Sequence, residues 1–166
     1  MRLVALSKQH LNELFDFELE NRTWFESLIQ ARANDFYCEQ GVYKHIEAEL
    51  ARVSAGSAFC GLLVKDNKIV ARANLRDIEH NKALVGYRVS KRFTSQGYAS
   101  FCLTSLIQIA KAEFAVKFLE ANVLENNPAS KHVLQKQGFE IIGSVPNFMT
   151  LNNKTLACTK LRLKCV

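Results

Sequence analysis

Thr94-Ser95-Gln96-Gly97-Tyr98-Ala99 is the stretch on which the reading of this chain turns. It stands between an alternating segment, Ala83 to Val89, and a long segment with apolar residues at helical spacing, Leu103, Leu106, Ile107, Ala110 and Phe114. A strand that turns tightly into a helix leaves several backbone N–H groups without intrahelical partners, aimed at one point. The stretch therefore predicts a phosphate-binding turn at a strand-to-helix junction.

Upstream the period is two. Ala58 to Lys65 reads as a strand, Asp66-Asn67 as a tight turn, and Ile69, Ala71, Ala73 and Leu75 alternate with Arg72, Asn74 and Arg76. A turn near His80-Asn81 leads into Ala83 to Val89, completing an antiparallel meander. Before it, residues 2–6 form a short strand and Ser7 caps a helix carrying Leu11, Leu14, Phe15 and Leu19. A second helix runs through Val42, Ile46, Leu50 and Val53 and stops at Gly56. The segment between these helices, with Trp24, Phe25, Phe36 and Tyr37, is aromatic but aperiodic.

Downstream, a helix from about Tyr98 to Ala115 leads into a strand, Phe118 to Val123, expected to lie parallel to its neighbour because a helix joins them. The next helix has both ends marked, with Asn127 as N-cap, Pro128 at the first helical position and Gly138 past the end. Ile141-Ile142 and Leu156 to Leu163 supply the last strands. The predicted fold is α/β (α+β), a mixed, mostly antiparallel sheet with a central parallel β-α-β crossover, in the order β-α-α-β-β-β-α-β-α-β-β. A ligand is expected at the carboxyl end of the strand feeding the crossover, where Thr94 to Ala99 lies.

At 166 residues, 48% apolar and 23% charged, the chain reads as one globular domain over residues 1–166. The apolar run at Met1 to Leu6 is too short for a signal-peptide core and no segment approaches bilayer-spanning length, so the reading is cytoplasmic, without membrane attachment. Five cysteines, odd in number and without C-x-x-C spacing, argue against a disulfide framework and a zinc site; Cys102 and Cys158 read as small core hydrophobes. Residues 1–83 carry 11 Lys/Arg against 12 Asp/Glu, a charge of −1, and residues 84–166 carry 11 against 4, a charge of +7. The basic half has no Lys/Arg run and no aromatic stacking platform, which favours a polyphosphate ligand over nucleic acid. Exposed apolar residues near Phe148 to Leu151 read either as an edge between two copies in a homodimer or as a buried hairpin.

Gly86-Tyr87-Arg88-Val89, the Thr94–Ala99 turn, and Asn127-x-x-Ser130 followed by Val133-Leu134 and Gly138-Phe139 together resemble the GNAT superfamily of acyl-coenzyme A-dependent N-acetyltransferases, in its RimJ/RimL-like ribosomal-protein branch. That branch shows G-Y-x-L, then Q/R-G-x-G-Y-A, then N-x-x-S and a leucine-bearing helix ending in G-F. Phe17 to Phe25, F-E-L-E-N-R-T-W-F, is similar to its first-helix region. Thr94 stands where the family usually has Gln or Arg, and Ser95 where it usually has Gly. Order and spacing match over nearly the whole chain, giving a GNAT-like single acetyltransferase domain.

The resemblance implies acetyl-CoA as co-substrate, no metal, and direct attack by a primary amine in a ternary complex. It implies that the strand Gly86 to Val89 splays from the next parallel strand, with Tyr87, Arg88 and Val89 lining the slot. Thr94, Ser95, Gln96, Gly97, Tyr98 and Ala99 would hold the pyrophosphate, with Asn127 and Ser130 on the pantetheine arm. Ser130 is then the proton donor to the departing thiolate, Tyr87 a second donor candidate, and Glu120, opposite Leu119 and Ala121 on its strand, a general base. Asn127 and Ser130 also read as an ordinary helix cap and helix residue. Glu79 and His80 at a turn, and Glu26 and His45 in the amino-terminal helices, are lesser base candidates. The acceptor is a protein N-terminal α-amine of ribosomal type or a small-molecule amine, contacted by Arg22 to Gly41 and a loop from Pro146 to Asn153. The mildly acidic first half suits a cationic acceptor. The alternative is a non-catalytic acyl-CoA-binding or regulatory module on the same fold.

Overall fold

The structure, a computed structural model, describes residues 1–165; Val166, the last residue of the expected domain, lies outside them. Its centre is a seven-stranded sheet in the order β1-β2-β3-β4-β5-β7-β6. The strands are β1 (Leu3–Ala5), β2 (Phe59–Lys65), β3 (Lys68–Glu79), β4 (Lys82–Val89), β5 (Phe118–Leu124), β6 (Glu140–Leu151) and β7 (Lys154–Lys164). Helices α1 (Leu11–Glu20), α2 (Arg22–Glu26) and α3 (Glu39–Ser54) precede β2; α4 (Tyr98–Phe114) and α5 (Pro128–Lys136) flank β5. No helix among the described residues is long and apolar enough to cross a membrane.

The hairpins follow from local chemistry. Asp66-Asn67, His80-Asn81 and Asn152-Asn153 each have positive φ at both residues, the geometry that matches strand twist in a two-residue turn and that Asn and Asp tolerate. Every neighbouring strand pair is antiparallel except β4 with β5. The intervening helix α4 begins at Gly97 (φ +83°) and ends at Ala115, also left-handed.

Each face of the sheet carries its own core. Leu103 and Leu106 of α4 and Leu134 of α5 pack on Ala71, Ala73, Leu75, Ala83, Val85, Leu119 and Leu161. On the other face, Leu14 and Phe17 of α1, Phe25 of α2, and Val42 and Ile46 of α3 pack on Cys60, Leu62 and Ile69. Covering by α1 and α3 corrects the expectation for β3, whose period of two set Arg72 on a polar side; Arg72 is 3% exposed.

Two further expectations change. The aperiodic segment contains α2, five residues long, too short to display a period. The loop expected from Pro146 to Asn153 is mostly strand: Pro146 to Leu151 belong to β6, and only Asn152-Asn153 turn. β6 is an edge strand whose pairing with β7 shifts register between Val145 and Met149, where proline's missing N–H is tolerated. Phe148 is exposed there, whereas Leu151 is buried.

Candidate active site

The parallel pairing of β4 with β5 is confined to Lys82–Phe118, Ala83–Leu119 and Leu84–Glu120. Beyond it the strands part into a wedge with Val85 to Val89 on one side and Ala121 to Leu124 on the other. The Ser90 amide donates to the Val70 carbonyl at 2.9 Å, and β3 and β4 stay in register from Ala71–Val89 to Arg76–Leu84. Since hydrogen-bonded and non-bonded pairs alternate, the backbone groups of Gly86 and Arg88 face β3. Those of Tyr87 and Val89 face the wedge.

The wedge has two different sides. On the α4 and α5 side, the Tyr87 hydroxyl lies 3.0 Å from the Ser130 hydroxyl and donates to the Ser130 carbonyl at 3.3 Å. Burial pushes the Tyr87 phenol above its ordinary value, against the opposing bond to Ser130. Asn127 caps α5, its Oδ1 accepting the Ser130 N–H at 3.1 Å.

Beside the wedge, Ser95 (φ +60°) and Gly97 (φ +83°) make the left-handed turns that open α4. Gly97 is its N-cap without a side-chain hydrogen bond, so the first amides of α4 are left for an anion. The Thr94 hydroxyl donates to the Lys91 carbonyl at 2.9 Å and the Gln96 amide to the Arg92 carbonyl at 3.2 Å. Both side chains turn back, leaving backbone to face outward. A Cβ added at Gly97 would meet nothing within 4 Å, so the approach is open. Tyr98 itself is buried against Phe93, and Ala99 follows in the first turn of α4. The turn thus presents uncapped backbone amides on an open face, donors of the kind that take an anion.

On the α1–α3 side, helix α2 lies across the wedge. The Trp24 indole donates to the Val89 carbonyl at 3.2 Å on the β4 side, and Asn126 Nδ2 donates to the Ser27 carbonyl at 3.0 Å on the β5 side. Buried Asn21 accepts the Lys91 amide at 2.9 Å and donates to the Phe17 carbonyl, joining α1 to the segment after β4. Glu120 stands on this side at the last position where β5 pairs with β4. One of its oxygens, Oε1, is shared by Arg162 Nε at 3.0 Å, Arg162 Nη2 at 2.6 Å and Lys82 at 3.9 Å.

Arg88 is placed otherwise than expected. Its backbone pairs with β3 and its guanidinium turns to Glu18, 3.2 Å away, opposite Tyr87. Glu18 is 1% exposed and also holds Arg72. Burial pushes its carboxyl up, but Arg72, Arg88 and Arg32 together hold it below the usual carboxylate range. The lesser base candidates are engaged elsewhere: Glu26 pairs with Arg22 at 2.9 Å, His45 meets Arg72 at 3.0 Å, and Glu79 and His80 are exposed on a turn.

The structure thus brings Tyr87 and Ser130 together, sets Glu120 at the closed end of the wedge, and puts Thr94 to Ala99 beside its mouth. Glu18, Asn21, Trp24 and Arg72 were missed. Three of these lie in F-E-L-E-N-R-T-W-F, where a buried-facing Glu, Asn and Trp were the available signal. No cluster of His, Cys, Asp and Glu suited to a metal occurs among the described residues.

Residues 1–140 match the family model described as an acetyltransferase (GNAT) domain. A probable N-acetyltransferase, YjcK, of Bacillus subtilis (strain 168) is 26% identical over 145 residues, covering 84% of this chain and 80% of that protein. The ribosomal-protein-serine acetyltransferase of Escherichia coli (strain K12) is 21% identical over 155 residues, covering 92% and 86%. A solved structure of RimL, the ribosomal L7/L12 α-N-protein acetyltransferase in complex with coenzyme A, superposes with a TM-score of 0.89 at 19% identity, covering 98% of this chain and 92% of that one.

Proposed function

This chain belongs to the GNAT acetyltransferase family, as an acetyl-CoA-dependent N-acetyltransferase, and from that premise we propose that its acceptor is the α-amine of a protein N-terminus. The similarity to a ribosomal-protein-serine acetyltransferase supports that acceptor. So does chemistry: an α-amine has a pKa near 8, so an appreciable fraction is already neutral at pH 7 and a modest base suffices. Residues 1–166 then act as one catalytic domain, working in the cytoplasm where such substrates are made.

The contact between Tyr87 and Ser130 carries the assignment of roles. Acetyl-CoA, when bound in the wedge, supplies an activated acyl group on sulfur. The turn from Thr94 to Ala99 holds its pyrophosphate through backbone amides, and Asn127 and Ser130 flank the pantetheine arm. The amide of Tyr87 donates to the thioester oxygen, where one such donor is commonly worth roughly 3 kcal/mol as charge develops, and that of Val89, two residues further along the strand, pairs with the pantetheine arm. Trp24 holds the Val89 carbonyl and so steadies the end of β4 next to these amides. Ser130, with Tyr87 behind it, gives a proton to the departing sulfur. Glu120, through the oxygen that Arg162 does not occupy, takes the proton released by the attacking nitrogen, by way of a water.

The test is a thiol-release assay with acetyl-CoA and short peptides bearing free or blocked amino termini, with the product located by mass spectrometry. Acetylation confined to the α-amine is the expected result. Coenzyme A binding without turnover on any amine would instead select the non-catalytic reading, and acetylation of small amines alone would remove the protein acceptor.

A further inference from the structure

The acceptor side of the wedge contains a buried charge imbalance. Glu18 is one carboxylate shared by three guanidiniums: Arg72 and Arg32 lie on Oε1, the latter at 3.8 Å, and Arg88 on Oε2 at 3.2 Å. Arg72 turns its other terminal nitrogen to His45 Nε2 at 3.0 Å. Burial, then Arg72 and Arg32, pull that imidazole down to about 4, so at neutral pH it accepts the bond and adds no charge. The next carboxylate, Glu49, is engaged by the Cys60 thiol at 3.1 Å and Arg52 at 3.5 Å. Guanidiniums withdrawn from water without matching negative charge are strongly unfavourable unless an anion completes them.

The excess is localised. Arg72 is sealed at 3% side-chain exposure, whereas Arg32 and Arg88 keep 25% and 24%. Arg32 Nε is buried with no hydrogen-bond partner among the described residues. The Arg32 guanidinium lies 4.3 Å from the Phe36 ring centre, and that of Arg88 5.0 Å from the Phe25 ring centre. A guanidinium is planar, and with its carbon over a ring its N–H edge is left to take a carboxylate or phosphate through two parallel bonds. Arg22, by contrast, is already held by Glu26 and Asn34. Arg88 adjoins Val89, whose peptide faces the wedge, on the side of the sheet opposite Tyr87 and Ser130.

We propose that Arg32 and Arg88 form a recognition site for an anionic oxygen group, a carboxylate or phosphate, carried by the acceptor close to the nitrogen that is acetylated. The proposal rests on the acetyl-transfer reading above. A peptide presents such a group as an Asp or Glu side chain near its amino terminus; a small amine presents it as its own carboxylate or phosphate. The acidic first half of the chain, which suited a cationic acceptor, is thus reversed where it meets the wedge.

The test measures kcat/KM of the full-length protein at saturating acetyl-CoA on two matched pairs. One pair is a peptide beginning Ser-Glu against the same peptide beginning Ser-Gln, and the other is 3-aminopropanoate against 3-aminopropanamide. The acidic member of one pair is expected to be preferred at least tenfold, and which pair responds identifies the source of the anion. Arg32→Gln is expected to reduce that preference to less than threefold, and Arg32→Lys to restore part of it. If Arg32→Gln does not fold, the wild-type ratios decide alone. Turnover on both pairs that ignores or disfavours the acidic member overturns this proposal and spares acetyl transfer; absence of turnover on every amine, with coenzyme A bound, overturns both.

Discussion

The Tyr87 hydroxyl stands 3.0 Å from the Ser130 hydroxyl, so strand β4 and helix α5 share a hydrogen bond on one side of the wedge. In the proposed mechanism the two hydroxyls in contact act as a single relay. Tyr87→Phe and Ser130→Ala are each expected to lower kcat roughly 100-fold, in the range of one general acid. The double variant should fall no more than a few-fold below the weaker single one, since the two act as a unit. Steady-state thiol release checks this, and losses that multiply would mean two independent donors.

Glu120 gives a separable signature. Glu120→Gln removes a partly exposed ion pair, so stability should change by under about 1 kcal/mol. At pH 7, kcat/KM should fall at least tenfold and recover toward pH 9, where the α-amine deprotonates without help. A pH-rate profile indistinguishable from wild type would leave Glu120 as a partner of Arg162 alone.

Cofactor affinity should depend on backbone more than on side chains at the turn. Gly97→Ala forces a left-handed residue and should cost about 1 kcal/mol in stability, with a clear loss of coenzyme A affinity by calorimetry. Thr94→Ala should change that affinity less than threefold, because the Thr94 hydroxyl is spent on the Lys91 carbonyl. A larger effect at Thr94 than at Gly97 would contradict this.

Acid should weaken the fold in a defined window. The folded-state value of His45 is pulled from 6.5 to about 4, so between those values the unfolded chain binds a proton that the folded chain refuses. Stability is therefore full above pH 6.5 and falls as pH drops toward 4. The depressed Glu18 carboxyl loses its contribution at the acid end of the same descent. Melting temperature against pH should show this slope, and His45→Gln should flatten it between pH 6.5 and 4.

Thiol chemistry should be limited to one site. Burial, aided by Glu49 beside Cys60, pushes Cys60 and Cys102 up to about 12, and Cys158 and Cys165 are buried as well. Only Cys38 is exposed, so one thiol per chain should react under native conditions and five after unfolding.

Features set by neighbours in sequence were legible before the structure. Gly97, Asn127, Pro128 and Gly138 mark helix ends through their own backbone chemistry, and the turn, the crossover and the Ser130 helix followed. Arg72 was not legible, because alternation reports which residues share a face and not whether a second layer covers the other. Its partner Glu18 lies 54 residues away. The roles of Trp24 and Asn21 were not legible because each rests on one long-range bond, from a helix too short to show a period and from the residue just before it. Pro146 looked like a loop because a proline inside a strand is readable only once that strand is known to be an edge.

Helix α2, lying across the wedge on two hydrogen bonds, has a consequence for descent. In the proposed binding mode the donor is gripped by peptide groups, which most substitutions leave unchanged, whereas the acceptor meets a few side chains, most of them between Glu18 and Tyr37, with Arg88 beside them. Replacing some of those residues would retarget the enzyme while its donor chemistry passed on intact. Relatives that keep the turn but differ around Trp24 and Arg32 should therefore share a donor and diverge in clientele.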